Sequence, residues 1–322
     1  MYAKPTIFVS ACITFDECRF DGTMISDETV SRLKPYVEII KACPELAIGF
    51  SSPRDSLRLI EPKGEETKLV ISKSGEDVTS RMKEFSDKYI EKLKNKQLDG
   101  FIMKAKSPSC GIRNVKKYYG IGKAHSKGSS YAGIFGQEVL THFPGVPVEN
   151  ERRLSNFSIR EQFFTSIFTL AKFREVKTSM KYKNLVQFHS ENKYLFMTYH
   201  QGILKEMGNI VANHEKMQIE KVFELYYERL QSILKKEPSQ KRRINVLTHI
   251  YGYFKDKITP SEKEYYFDLL DQYMNHHVPY RVLLDVLYGH VIRFEESYLK
   301  QQTIFHPYPK ELVVMMDSGK QV

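Results

Sequence analysis

Three of the chain's four cysteines stand where a strand-like run gives way to a turn. Ile7-Phe8-Val9-Ser10-Ala11 leads into Cys12, Ala42 into Cys43-Pro44-Glu45, and Phe101-Ile102-Met103-Lys104 through Ser107-Pro108-Ser109 into Cys110-Gly111. In an open α/β sheet the loops after the strands form the crevice that binds ligands. Three thiolates gathered there can hold three irons of a cluster and leave a fourth iron open to substrate. The spacing is not that of a zinc finger, since there is no Cys-x-x-Cys pair, and not that of a bacterial ferredoxin. Read by spacing alone, dispersed cysteines fit unrelated buried residues as well. Local context favours metal: Pro, Gly or Ser stands near each thiol, and such loops offer backbone amides to cluster sulfurs. Cys18, in Cys18-Arg19-Phe20-Asp21-Gly22, is either a fourth ligand or a bystander.

The elements that must position these residues alternate in the first half. Strand-like runs lie at 6–11, 57–60, 68–71, 101–104 and 143–148. The pair at 57–60 and 68–71 flanks the turn Glu61-Pro62-Lys63-Gly64 and predicts a hairpin. Helical spacing of Val30, Leu33, Val37 and Ile40 predicts a helix over 27–41, and that of Met82, Phe85, Tyr89 and Leu93 one over 78–98. A short helix is expected at 133–142. The polar, basic stretch 114–130 reads as an exposed, mobile loop. The alternation predicts a three-layer α/β domain with a mainly parallel sheet. From about residue 158 helical periodicity takes over, at 159–172, 181–189, 193–213, 219–235, 241–257, 260–274 and 278–298, giving an all-α second domain. The expected division is 1–150, a bridging helix over 151–180, and 181–322.

Composition bounds the classes. The chain has 322 residues, 41% of them hydrophobic and 27% charged, enough for two cores. No apolar run of about 18 residues suggests a membrane span, and Met1-Tyr2-Ala3-Lys4-Pro5 lacks the pattern of a secretory signal. A cytoplasmic protein with reduced thiols is expected, in which four cysteines favour metal or catalysis over disulfides. The net charge of +10 suits a polyanionic partner such as nucleic acid, or simply a basic surface. No obligatory protein partner is evident.

Taken in order, Ser10-Ala11-Cys12, Arg19-Phe20-Asp21-Gly22, Cys43-Pro44-Glu45, Ser52-Pro53-Arg54 and Ser107-Pro108-Ser109-Cys110-Gly111 resemble the TudS-type thiouracil desulfidases. The resemblance spans roughly residues 5–145. Residues 188–197, and later Tyr298-Leu299 through His306-Pro307-Tyr308-Pro309, resemble the helical domain often fused to such enzymes. The two-domain arrangement resembles the RudS-type tRNA 4-thiouridine desulfidases. The resemblance implies a 4Fe–4S cluster held by Cys12, Cys43 and Cys110 with one open iron, Cys18 a non-ligand, and catalytic roles at Glu45 and Ser107. After Asp21-Gly22 the chain departs from the common Gly-rich or basic stretch with Thr23-Met24-Ile25-Ser26, which bears on substrate preference.

That reading makes chemical sense. A soft thiocarbonyl sulfur suits an open iron, a carboxylate can take a proton from attacking water, and a serine can orient that water. Read without the resemblance, Glu45 is a first-turn helix carboxylate and Ser107 a turn serine. Arg19, Asp21, Arg54 and Ser109 are the candidates to touch substrate, although Arg19 and Asp21 equally form an internal ion pair. In the helical half Lys193, Arg242, Arg243 and Arg281 are the candidate tRNA contacts, among aromatic residues suited to stack on unpaired bases. His276-His277 lacks a carboxylate at helical ligand spacing and is not expected to bind metal. The expected function is conversion of 4-thiouridine in tRNA to uridine with release of sulfide. The alternatives are the same chemistry on free thiouracil, and a non-catalytic RNA-binding or regulatory iron–sulfur protein.

Overall fold

A computed structural model describes residues 2–314. The chain divides into two compact units, one of Met1–Lys172 with the segment from Tyr308 onward, the other of Phe173–Pro307.

In the first unit four strands form an all-parallel sheet: β1 (Thr6–Ser10), β2 (Glu38–Ala42), β5 (Gly100–Met103) and β8 (Val148–Asn150), in the order β2-β1-β5-β8. Alternation along β1 sends Ile7 and Val9 to one face and Phe8 to the other. Ile7 and Val9 join Val30 and Leu33 of α1 (Glu28–Leu33) and Phe163, Phe164 and Ile167 of α5 (Phe157–Ser179). Phe8, with Phe101 and Met103, meets Ile90 and Leu93 of α3 (Thr79–Lys94) and Phe135 and Val139 of α4 (Ile134–His142). Helices therefore cover both faces of the sheet, which is the three-layer α/β arrangement expected. A second sheet, in the order β4-β3-β6-β7, contains the expected hairpin: β3 (Leu57–Ile60) pairs antiparallel with β4 (Lys68–Ile71). The second unit is helical throughout, built around Phe173, Phe188, Phe223 and Tyr226.

Several sequence readings are corrected. The helix expected over 27–41 stops at Leu33, and 38–42 is strand β2. Pro35 has no N–H to continue the helical ladder, so the chain tightens into a 3₁₀ turn at Lys34–Tyr36. The loop expected over 114–130 contains a hairpin of β6 (Val115–Tyr118) and β7 (Ser126–Tyr131). Two of its cations are paired, which the sequence conceals: Lys117 is buried against the Tyr131 ring at 4.0 Å and bonded to Glu61 at 2.5 Å, and Lys127 also bonds Glu61. The helix expected over 193–213 is broken into α7 (Lys193–Tyr199) and α8 (Gln201–Ala212). His200 between them is extended, and its Nδ1 accepts the Ile203 N–H at 3.1 Å as a cap. The helix expected over 241–257 is α10 (Gln240–Tyr251), ending at Gly252, and that over 278–298 is α12 (Tyr280–Arg293) and α13 (Ser297–Lys300), parted at Glu295 with φ +50°.

Candidate active site

The strand order makes β1 a switch point. The chain leaves β1 for β2 on one side, and β5 lies on the other. Loops diverge at the carboxyl ends of such neighbours and open a crevice. Cys12 lies two residues beyond β1, Cys43 follows β2 directly, and residues 107–110 follow β5. Cys43 is the N-cap of the one-turn helix α2 (Pro44–Ala47), with Pro44 at its first position and Glu45 in its first turn.

The thiols meet there. Cys18 sits in hydrogen-bond contact with both Cys12 and Cys43, and the Cys43 Sγ lies 3.8 Å from the Cys18 carbonyl. Cys110 lies beside Ser10, whose Oγ accepts the Lys104 N–H at 3.0 Å and so ties β1 to the end of β5. The Cys18 thiol is pushed up to about 11, first by its hydrogen bond with Cys12. That of Cys43 is pushed up by its hydrogen bond with Cys18 and by burial, and that of Cys110 by burial. All four cysteines are free thiols, three of them buried.

A short polar network is set into this cluster. The Arg54 guanidinium donates to Oε2 of Glu45 from Nη2 at 2.5 Å and from Nε at 3.0 Å, and the two side chains are only 5% and 12% exposed. Ser109 donates its hydroxyl to Oε1 of Glu45 at 2.8 Å. Arg54 Nη1 also donates to the Cys18 carbonyl at 3.0 Å, joining the segments that carry Cys18 and Glu45. Ser107 acts more locally. Its Oγ accepts the N–H groups of Ser109 and Cys110, at 3.2 and 3.0 Å, and closes the turn that presents Cys110. That leaves the Ser107 hydroxyl proton free to donate elsewhere.

Two glycines outside the motif shape the same loop. The N–H of Gly133 donates to the Gly111 carbonyl at 2.7 Å, and that of Gly136 to the Ser109 carbonyl at 3.0 Å. A Cβ on Gly133 would lie 2.6 Å from the carbonyl oxygens of Pro108 and Ser109, and one on Gly136 2.8 Å from that of Cys110. Sequence reading passed over both glycines. Their only signal was position, at the start of α4.

The other candidates fall elsewhere. Arg19 and Asp21 form an ion pair at 3.0 Å, with Thr23 bonded to both, so they close their own loop. Lys193 is exposed at the start of α7, and Arg242 reaches the Glu237 carbonyl at 3.4 Å. Arg243 lies 4.9 Å above the Tyr280 ring. Arg281 donates to the Phe305 carbonyl at 2.7 Å and pairs with Asp285 at 2.9 Å, so its guanidinium is engaged inside the helical unit.

Residues 7–151 match the family described as 2-thiouracil desulfurase. The uncharacterized protein YbbK of Bacillus subtilis (strain 168) is 37% identical over 109 residues, 33% of this chain and 72% of that protein. The chain belongs to the 2-thiouracil desulfurase family. Residues 193–309 match a second family, a protein of unknown function (DUF1722), so a desulfurase domain is joined here to a helical one. The uncharacterized protein YbgA of Escherichia coli (strain K12) is 24% identical over 127 residues, 39% of this chain and 75% of that protein. Among solved structures, that of a [4Fe-4S]-dependent thiouracil desulfidase, TudS, aligns with 47% of this chain and 93% of its own, at 25% identity and a TM-score of 0.39.

The thiols of this desulfurase-family chain can be tested against a cluster on their own chemistry. Among the described residues no group of three or more His, Cys, Asp or Glu is arranged to hold a metal ion. A cluster asks for something else, a separate thiolate for each iron. Cys12, Cys43 and Cys110 come from three adjacent strand ends and are soft donors of the kind an iron–sulfur cluster takes. The donor set fits.

Proposed function

We propose that this chain removes sulfur from a thiolated uracil ring hydrolytically, and that its substrate is 4-thiouridine within tRNA. One observation carries the reading: a half-buried carboxylate, Glu45, lies between Arg54 and Ser109, two residues beyond one cysteine and bonded to the residue before another. A carboxylate fixed in this way can serve as the general base of a hydrolysis.

In this reading Cys12, Cys43 and Cys110 hold a 4Fe–4S cluster, which supplies a Lewis-acidic iron with affinity for the soft thiocarbonyl sulfur. Glu45 takes a proton from the water that attacks the ring carbon. Arg54 fixes the carboxylate through two hydrogen bonds to Oε2, leaving a lone pair on Oε1, beside the Ser109 hydroxyl, for water. Ser109 sets the carboxylate's rotation from the other side, and Ser107 offers its free hydroxyl proton to the water or to a ring atom. The balance is C=S plus water to C=O plus hydrogen sulfide, with no net electron transfer. Cys18 touches two of the proposed ligands and is read as a neighbour and not a ligand.

The helical unit would dock the tRNA, with Lys193 and Arg242 as phosphate contacts, while the α/β unit acts on a base turned out of its stack. The family description names 2-thiouracil, which favours free base as the second reading. The deciding assay is sulfide release by anaerobically reconstituted protein from thiolated tRNA and from thiouracil, with Glu45→Ala beside the natural chain. Turnover of thiolated tRNA that collapses in the variant supports the proposal. Turnover of thiouracil alone, with tRNA neither binding nor competing, makes the chain a salvage enzyme. RNA binding without turnover of either makes it a non-catalytic cluster protein.

A further inference from the structure

A cleft of about 790 Å³ opens in the α/β unit at the carboxyl ends of β5 and β8. That lies toward the upper end for a small-molecule pocket, roughly 300–1,000 Å³. Six cations line it against two carboxylates. Both carboxylates are already engaged: Glu151 holds Lys104 at 2.7 Å and the Ala105 N–H at 2.8 Å, and Asp27 caps α1 through the Val30 N–H at 2.8 Å. Lys106 and Arg152 are exposed and have no side-chain partner among the described residues. Arg113 reaches Glu149 only at 3.7 Å, and that carboxylate is held more closely by Arg153 at 2.9 Å. The cleft therefore carries cationic charge that the protein does not balance.

Two of its lining residues adjoin segments that carry thiols. Lys106 precedes Ser107, and the Ile25 N–H donates to the Cys12 carbonyl at 2.8 Å. A second cleft, of about 450 Å³, shares Lys106 and Asn114 with the first and adds Arg58 and Lys116. The two clefts thus flank the turn of residues 107–110 and meet beside it. A free thiouracil has no charge to offer so many cations. A nucleotide inside a chain brings a phosphate on each side of its base.

We infer that the two clefts take the phosphodiester backbone on either side of the reacting base, so that the α/β unit itself recognises a single-stranded stretch of RNA. This deepens the proposed function and rests on it for where the base lies. Lys106, Arg113 and Arg152 make the phosphate contacts, which position the strand without reading its sequence.

The test is fluorescence anisotropy of a labelled five-residue oligouridylate with the full chain, titrated at several salt concentrations. Arg113→Glu/Arg152→Glu is compared with Lys88→Glu/Lys94→Glu on α3, which changes charge equally away from both clefts. The expected result is an affinity at least about tenfold lower for the first pair, with the slope of log K against log salt flatter by about 1.4, the loss of two single-strand phosphate contacts. The second pair should bind as the natural chain does. Arg113→Gln/Arg152→Gln repeats the comparison if charge reversal impairs folding. No binding by the natural chain, or equal binding by the cleft variants, overturns the inference. Sulfide release is scored separately. If thiouracil is desulfurated while the cleft variants bind normally, the cleft inference fails and the reaction stands. If oligouridylate binding depends on the cleft while no thiolated substrate loses sulfur, the reaction fails and the RNA cleft stands.

Discussion

Ser109 donates its hydroxyl to Glu45 at 2.8 Å across 64 residues of chain, joining the turn after β5 to the turn after β2. With Arg54 on the other carboxylate oxygen at 2.5 Å, Glu45 is fixed from two directions inside the thiol cluster. This network separates two effects that mutation can measure, the proton transfer itself and the placing of the group that performs it.

Glu45→Gln keeps the shape and loses the base. We expect kcat for desulfuration to fall by about 10²–10⁴, the usual contribution of a general base, with KM nearly unchanged and a modest loss of stability, because Arg54 loses its counter-charge but keeps an amide oxygen to bond. Arg54→Met leaves the half-buried carboxylate with only its bond from Ser109 and should lower stability more, by roughly 3 kcal/mol. Urea unfolding of both variants checks the contrast, and equal destabilisation would argue against separate roles.

Anaerobic reconstitution tests the thiols one at a time. Cys12→Ala, Cys43→Ala and Cys110→Ala should each lose the broad visible absorbance and most of about four irons per chain. Cys18→Ala should keep both, despite its contact with Cys12 and Cys43. Loss of iron from the Cys18 variant as well would make it a fourth ligand and close the open position on which the reaction depends.

Gly136→Ala leaves every proposed ligand in place but drives a methyl against the carbonyls of Gly111 and Cys110. The backbone cannot yield as a flexible side chain would. We expect a stability loss of about 1–3 kcal/mol and poorer iron uptake, read by iron analysis beside a Gly64→Ala control. Gly64 has open space around its Cβ position but a positive φ, +81°, so it reports backbone strain without a clash.

The second sheet should weaken in acid through Glu61. Hydrogen bonds from Lys117, Lys127 and Thr67 lower its carboxyl from 4.5 to about 2. A carboxylate depressed in the folded state adds stability that is complete above the unfolded value and disappears as pH falls through the folded one. Urea midpoints should therefore drop between about pH 4.5 and 2 more steeply for the natural protein than for Glu61→Gln. Parallel curves would show that the three-way bond adds nothing to stability.

Much of the architecture was legible because it rests on local periodicity. The strand-like run at 6–11 marked β1, the spacing of Met82, Phe85, Tyr89 and Leu93 marked α3, and Glu61-Pro62-Lys63-Gly64 marked the β3–β4 hairpin. Where the reading failed, a neighbour distant in sequence decided the outcome. Val37 and Ile40 fit a helical stripe, but Pro35 ends the helix and pairing with β1 makes 38–42 a strand. The basic stretch after Asn114 looked like a loop because Glu61, which neutralises Lys117 and Lys127, lies more than fifty residues away.

The cysteine motifs, their order, and the joining of a desulfurase-type half to a helical half are properties of the sequence by itself, because each is a short run of residues in fixed succession. Only the tertiary structure decided that Ser109 and not Ser107 bonds Glu45, that Arg54 holds the carboxylate, that Cys18 touches Cys12 and Cys43, and that Gly136 makes room for the Cys110 loop. The physical reason is the strand order. Placing β1 between β2 and β5 brings three loop ends together from positions as far apart as Cys12 and Cys110, and no local pattern encodes which side chains then come within hydrogen-bond reach.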